Sequence, residues 1–229
     1  LKNKINAKYK ELGLLKKEND YIFTDKTLDN FFFLGLIKKI FPQAKVINCQ
    51  RNPLASIMSI LKNNLGDVSW AHNIEHIFSY FDLYYKKINF FKKSFPNFIY
   101  DLQFENFQND PENESKKLMQ FCNLSWNKKC LEFYKRKDLF SKTASNIQIR
   151  KSIYKDSVNK YLPYKFLFKK LWFRLNFRCF SLPSYGLVVA LLPFWHPPAT
   201  QKKTCKSRSD IIFEIMIINF EIHFDESFL

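Results

Sequence analysis

A chain of 229 residues has room for one domain with a substantial core, and a hydrophobic content of 46% is ordinary for such a domain. Its longest strongly apolar run, residues 185–195, contains Pro193 and is far shorter than the ~20 residues that cross a bilayer, so we expect no membrane span. The net charge of +16 argues against cationic partners and favours phosphate groups, nucleic acid or an anionic membrane surface.

Apolar spacing divides the first half of the chain into alternating helices and strands. A Lys-rich amphipathic helix comes first, and on the longest helix Phe78, Phe81 and Tyr85 are expected in the core. The predicted helices cover residues 1–18, 30–40, 53–63, 74–95 and 111–122, and the predicted strands cover residues 21–23, 45–49 and 98–102. This alternation predicts an α/β layer fold with a mostly parallel sheet.

The segment that joins the second strand to the following helix has the features of an anion-binding site. Arg51 follows the β-rich run, Asn52 and Pro53 form a turn, and Ser59 lies on the helix that begins there. A strand end that leads into a helix start brings unpaired backbone N–H groups and the helix dipole together with a guanidinium and a hydroxyl. Because parallel sheets bind ligands at the carboxyl ends of their strands, we expect a phosphate group here.

Cysteine and histidine positions do not favour a metal centre or a disulfide framework. The five cysteines are odd in number and form no CxxC pair, so reduced thiols in a cytoplasmic protein are expected. His72 and His76 are four residues apart and would share one face of a helix, but no third ligand follows at helical spacing. We therefore expect no bound metal.

The basic charge leaves a second class of function open, a non-enzymatic module that binds nucleic acid or a membrane surface. The lysines are scattered through the helices, as on a solvated face, and no signature of RNA or DNA binding is present, so nucleic acid is the less favoured partner. A nucleotide kinase is also disfavoured, because the chain contains no Walker-type phosphate loop.

We expect the chain to divide into three segments. Residues 1–20 are predicted to form a helix that leads into the domain, and residues 21–164 are the predicted domain. Residues 165–229 follow a different pattern, with a Pro-rich apolar piece and a basic stretch. They contain either a C-terminal helix with further strands or sequence outside the domain, and the abrupt change near residues 194–198 favours the second interpretation.

Short motifs follow one another in a characteristic order and spacing through the predicted domain. They are Thr24-Asp25-Lys26, Asn30-Phe31, Leu34-Gly35-Leu36-Ile37, Phe41-Pro42-Gln43-Ala44-Lys45, Arg51-Asn52-Pro53 with Ser59, Phe104-Glu105-Asn106, Phe121-Cys122-Asn123-Leu124-Ser125-Trp126 and residues 143–150. This set resembles the bacterial sulfotransferase family that uses 3′-phosphoadenosine-5′-phosphosulfate (PAPS). It is most similar to the branch often fused to tetratricopeptide repeats and related to the tyrosylprotein sulfotransferases.

The resemblance implies roles for five residues. Arg51 and Ser59 match the pair that grips the 3′-phosphate of PAPS, and Ser145 matches a serine that contacts the cofactor near the sulfuryl group. Lys160 matches a lysine that reaches the cofactor, and Lys26 lies in a loop near the acceptor, where its charge would stabilise the transferring group. The implied reaction is in-line sulfuryl transfer to a hydroxyl or amine of an acceptor protein or small molecule. The implied fold is a three-layer, P-loop-like sulfotransferase fold.

Two features of the family pattern are absent from the sequence. No Gly/Ser/Thr-rich phosphosulfate loop occurs in the 229 residues, and Leu28 stands where the family has a proline after its Asp-Lys pair. In the family, that loop and its strand precede the part seen here, and the general base follows the loop. Because residue 1 is Leu, we expect an N-terminally truncated enzyme that lacks the first strand and is inactive by itself.

Overall fold

The protein has strands and helices that alternate along the chain, and the α/β prediction is confirmed. The computed structural model describes residues 4, 7, 8, 11, 22–26, 28–63, 68–135, 153, 161–168 and 185–193. The strands are β1 (Ile22–Asp25), β2 (Lys45–Arg51), β3 (Ile99–Gln103) and β4 (Tyr185–Pro193). The α-helices are α1 (Leu34–Ile40), α2 (Pro53–Asn63), α3 (Ile74–Ser94), α4 (Phe104–Asn109) and α5 (Pro111–Phe121). Short 3-10 helices cover Leu28–Phe32, Ser69–His72, Lys128–Lys135 and Leu162–Phe168.

Most of the predicted elements lie where the apolar spacing placed them. The helix predicted over residues 53–63 is confirmed at both ends, and residues 4, 7, 8 and 11 of the first predicted helix are helical. The helix predicted over residues 30–40 is divided, because the 3-10 helix Leu28–Phe32 comes first and α1 begins after Phe33. The side chain of Asn30 turns back to Asp25 instead of capping α1.

The sheet has the strand order β1-β4-β2-β3. β2 pairs with β3 in parallel, as the alternation predicts. β4 pairs antiparallel with both β1 and β2, so β1, β2 and β3 run in one direction and β4 runs against them. The sequence favoured the interpretation that residues 165–229 lie outside the domain, whereas Tyr185–Pro193 form β4, which pairs within the sheet between β1 and β2. Where the domain begins and ends remains a prediction.

Side chains of β2 alternate between two hydrophobic clusters on opposite faces of the sheet, as expected for a strand covered on both sides. Val46 packs in a cluster with α1, α2 and α3, whereas Ile47 and Cys49 pack in a cluster with α4 and α5. The first cluster includes Leu34, Leu54, Ile57, Ile77, Phe81 and Ile88, and the second includes Leu102, Phe107, Leu118 and Met119. The described elements therefore form three layers.

Asn73 determines where the longest helix begins. Its Oδ1 accepts the backbone N–H groups of Glu75 and His76, at 2.8 and 3.3 Å, and so caps α3. His72 belongs to the preceding 3-10 helix and His76 to α3, so the two histidines do not share one helix. The core prediction for Phe78, Phe81 and Tyr85 is confirmed, because all three are buried on α3.

The cysteines that the structure describes are buried thiols. Cys49, Cys122 and Cys130 all lie in the cluster against α4 and α5. Burial raises the pKa of Cys122 to about 12 and raises the pKa of Cys49 well above its ordinary value. These thiols are poor nucleophiles at neutral pH, because only the thiolate reacts.

No helix among the described residues combines the length and the apolar character that a membrane span needs.

Candidate anion-binding site

Arg51 is the last residue of β2, and α2 begins two residues later at Pro53. In the parallel register Gln50 lies opposite Gln103, so Arg51, the last residue of β2, is level with Phe104, which directly follows β3. The guanidinium carbon of Arg51 lies 5.3 Å from the centroid of the Phe104 ring. Arg51 as a residue is partly exposed, and this cation–π contact helps to fix its guanidinium at the end of the strand.

Asn52 organises the turn between β2 and α2. Its Oδ1 accepts the backbone N–H groups of Leu54 and Ala55, at 3.0 and 3.3 Å, which makes it the N-cap of α2. Pro53 occupies the first helical position, where its fixed φ suits a helix and no N–H is needed. The turn is therefore held by its own side chain.

Two further hydrogen bonds connect Asn52 to distant parts of the chain. Its backbone N–H donates to Oε1 of Glu105 on α4, at 2.8 Å. Its Nδ2 donates to the hydroxyl of Tyr161, at 3.3 Å. Tyr161 also packs against the hydrophobic cluster of α1, α2 and α3. Three separate segments therefore meet at one asparagine.

These contacts correct one premise of the sequence interpretation. The backbone N–H groups at this helix start were expected to be unpaired, but those of Asn52, Leu54 and Ala55 all have side-chain acceptors. Pro53 has no N–H to offer. The expectation was wrong because an asparagine between strand and helix is a strong N-cap. An anion bound at this turn would therefore interact mainly with side chains and with the helix dipole.

Ser59 lies on α2, seven residues after the N-cap and about 10 Å along the helix axis. Residues separated by seven positions share a helix face, so Ser59 lies on the same side of α2 as Asn52. Both Arg51 and Ser59 are partly exposed. Leu54, Ile57 and Ile60 are buried on the same helix and attach it to the core.

The loop that carries Lys26 is fixed by two hydrogen bonds from Asn30. Its Nδ2 donates to the backbone carbonyl and to Oδ1 of Asp25, at 3.2 and 3.0 Å. Asp29 accepts the hydroxyl of Tyr80 at 2.7 Å. Burial lowers the pKa of Lys26 below its ordinary value, because desolvation disfavours the ammonium.

The sheet register does not bring Lys26 alongside Arg51. Asp25 and Val46 both lie opposite Ala190 of β4, so the end of β1 is level with the start of β2. Arg51 lies five residues further along β2, about 17 Å in strand direction. The structure thus places the two cations at different levels of the sheet, and the catalytic role of Lys26 remains a prediction.

Two of the five predicted site residues, Ser145 and Lys160, lie outside the described residues. Their roles also remain predictions. Tyr161, which follows Lys160 in the sequence, is described and contacts the turn through Asn52.

A buried polar network supports the strand that ends in Arg51. Asp101 of β3 accepts the side-chain amides of Asn48 and Gln50 through Oδ1, at 2.8 and 3.2 Å. Its Oδ2 pairs with the ammonium of Lys92 on α3. Asn48 in turn accepts the hydroxyl of Tyr84. This network joins β2, β3 and α3 by directional bonds, which fix the strand more specifically than apolar packing does.

Sequence reasoning missed the N-cap role of Asn52 and the hydrogen bond by which Glu105 holds this turn. An asparagine before a helical proline is a recognisable N-cap signal, so the role of Asn52 was accessible from the sequence. Glu105 lies just beyond the end of β3, as Asn52 lies just beyond the end of β2, and neighbouring parallel strands end at the same edge of a sheet. Only the pairing of the two strands, which no local pattern specifies, identifies Glu105 as the partner of the turn.

The chain is similar to a known protein family and to a protein of Aquifex aeolicus. The sequence model of a family described as "Sulfotransferase family" matches residues 3–128, more than half of the chain. An uncharacterized protein of Aquifex aeolicus (strain VF5) is 36% identical over 145 residues. The similarity covers 62% of this chain and 19% of that protein, so the chain spans about a fifth of the length of this relative.

Proposed function

Because the chain belongs to the sulfotransferase family, we propose that it serves sulfuryl transfer from PAPS to a hydroxyl or amine acceptor, with Arg51 and Ser59 holding the 3′-phosphate. The observation that carries this proposal is the placement of Arg51 at the carboxyl end of β2, directly before the helix that contains Ser59. Both residues lie within the matched region. Acceptors of either kind, a protein or a small molecule, fit the proposal.

The chemistry of the residues suits a ribose 3′-phosphate. A guanidinium can form two parallel hydrogen bonds to phosphate oxygens, and a helix hydroxyl adds a third donor. The positive end of the α2 dipole favours the same anion. Both side chains are partly exposed, so a nucleotide can reach them.

We assign Lys26 and Ser145 to the transferring group and Ser145 and Lys160 to the cofactor, on the strength of their match to the family motifs. PAPS supplies an activated sulfuryl group, and charge develops on the bridging oxygen as that group leaves. A partly desolvated ammonium such as that of Lys26 interacts more strongly with developing negative charge than an ammonium in water does.

Retention on immobilised adenosine 3′,5′-bisphosphate tests the assignment of Arg51. We expect Arg51→Ala to weaken nucleotide binding by about tenfold or more, since it removes a charged hydrogen-bond donor. Lys39→Ala is the matched control, because Lys39 is an exposed cation on α1, and it should leave retention unchanged. Equal retention of Arg51→Ala and the wild type would contradict the proposal.

We also propose that this chain alone does not turn over PAPS, because its 229 residues contain no Gly/Ser/Thr-rich phosphosulfate loop. Without that loop no described residue is assigned to the 5′-phosphate of PAPS. Incubation with labelled PAPS and a tyrosine or sugar acceptor is the appropriate assay. Sustained transfer of label would contradict this part of the proposal without affecting the assignment of Arg51.

The net charge of +16 supports one competing function, a basic non-enzymatic module for nucleic acid or a membrane surface. Such a module would bind polyanions through many scattered lysines. Any polyanion would then displace the protein from the nucleotide column. The substitution Arg51→Ala would not change its retention on that column. The same experiment therefore separates the two functions.

A further inference from the structure

We propose that Glu105 is a positioning residue for the 3′-phosphate site, which it serves by fixing the peptide that follows Arg51. This inference rests on the proposed function. The carboxylate of Glu105 accepts the backbone N–H of Asn52 at 2.8 Å. The peptide that carries this N–H is the one through which the main chain leaves Arg51, so its orientation affects the direction of the guanidinium.

The first two residues of α4 act together on the end of β2. The ring of Phe104 lies beneath the guanidinium of Arg51, with 5.3 Å between the ring centroid and the guanidinium carbon. The next residue, Glu105, holds the next peptide of β2. One element thus fixes both the side chain of Arg51 and the backbone beyond it. The Asn52 side chain completes the arrangement by capping α2, on which Ser59 lies.

The sign of the charge on Glu105 argues for a geometric role. A carboxylate near a bound phosphate repels it, so its charge by itself weakens anion binding. Electrostatics alone therefore predicts tighter binding for every variant that removes this charge. A positioning role predicts weaker binding for every variant that loses the acceptor oxygen at this place. Glutamine keeps an acceptor without the charge, and aspartate keeps the charge but is one methylene too short.

The experiment compares the dissociation constants of two nucleotides for the full chain and its variants. Adenosine 3′,5′-bisphosphate carries the 3′-phosphate, and adenosine 5′-monophosphate does not. We expect Glu105→Ala and Glu105→Asp to weaken binding of the bisphosphate by about tenfold, the effect of losing one well-oriented charged hydrogen bond. Binding of the monophosphate should change by less than about twofold, and Glu105→Gln should retain the wild-type preference.

Two controls separate positioning from other effects of the substitution. Glu132→Ala removes an exposed carboxylate, paired with Lys135 at 3.1 Å, and should leave both dissociation constants unchanged. Glu105→Ala should have no further effect when Arg51 is already alanine, because the inferred role acts through Arg51. Far-UV circular dichroism and the unfolding midpoint of each variant report whether the fold is kept.

Each outcome bears on the inference. A wild type that binds the two nucleotides equally, or neither of them, overturns the proposed function and this inference together. A wild type that prefers the bisphosphate, with the preference unchanged in Glu105→Ala and Glu105→Asp, overturns the inference alone. Tighter binding by Glu105→Ala, or an equal loss for both nucleotides, also overturns it. If Glu105→Ala does not fold, the aspartate and glutamine variants decide between the alternatives.

Discussion

Asp101 is a shared acceptor for side chains from two neighbouring elements. Its two oxygens serve Asn48 and Gln50 of β2 and Lys92 of α3. Asn48 and Gln50 are almost completely buried, at 0% and 1% exposure, so in the folded protein their amides depend on protein acceptors. A buried polar group without a partner costs more free energy than a hydrogen bond contributes when it is made.

Replacing Asp101 by alanine should therefore lower the free energy of unfolding by about 2–4 kcal/mol, because two buried amides and a half-buried ammonium lose their acceptor at once. Urea denaturation monitored by circular dichroism measures the change. Glu112→Ala is the control: it breaks the exposed Glu112–Lys116 pair and should cost about 0.5 kcal/mol or less. Equal effects of the two substitutions would show that the network contributes little.

Single residues of the site differ in how far the sequence predicts them. Arg51 and Ser59 were placed at a strand end and on the next helix by local patterns alone, and the structure has both there. The contact between Asn52 and Glu105 joins residues 53 positions apart, so no local pattern contains it. The backbone N–H groups at the start of α2 were expected to be unpaired because the sequence interpretation did not treat Asn52 as an N-cap. Asn52 was nevertheless part of the quoted motif.

At the scale of elements, α5 ends in a Schellman motif. The N–H of Leu124 donates to the carbonyl of Met119 at 2.9 Å, and the N–H of Asn123 donates to that of Gln120 at 3.0 Å. Asn123 itself has φ of 57°, in the left-handed region that glycine and asparagine tolerate best. The helix end therefore depends on the residue type at one position.

Two substitutions at Asn123 test this dependence. Asn123→Gly should leave stability unchanged or raise it slightly, whereas Asn123→Val should lower the free energy of unfolding by about 1–2 kcal/mol, because a β-branched side chain opposes positive φ. Thermal or chemical denaturation of both variants gives the comparison. Gln120→Ala, on the exposed face of the same helix, is the control for a change in helix composition. A valine variant as stable as the glycine variant would contradict the role assigned to this cap.

Elements with strong periodicity were predicted well, and elements defined by pairing were not. Helices α2, α3 and α5 have apolar residues at helical spacing and clear start signals, and their bounds follow from these features. The residues of β4 form an apolar run with a proline at its end, which is compatible with several structures. Its place between β1 and β2 depends on partners more than a hundred residues away.

At the scale of the whole molecule, β4 joins two parts of the sheet. β1 and β2 both pair with β4 and occupy its two sides in the strand order. The register of β4 therefore sets the position of β1 relative to β2 along the strand direction. It also sets the position of Lys26 relative to Arg51. β2 and β3 pair directly, and each contributes to a core cluster against α4 and α5.

Interrupting β4 should separate β1 from the rest of the sheet. Val188 lies opposite Asn48 near the middle of the strand, and Val188→Pro places a residue without an N–H in a strand that is paired on both sides of the sheet. Native-state hydrogen exchange should then show the amides of residues 22–25 exchanging about tenfold faster or more, while those of β3 change less, because β2 and β3 keep their own parallel ladder. Val188→Thr, which keeps the N–H and a β-branched side chain, is the control. If the amides of residues 22–25 exchange equally fast in both variants, β1 does not depend on β4, and the level of Lys26 is set by something other than this strand.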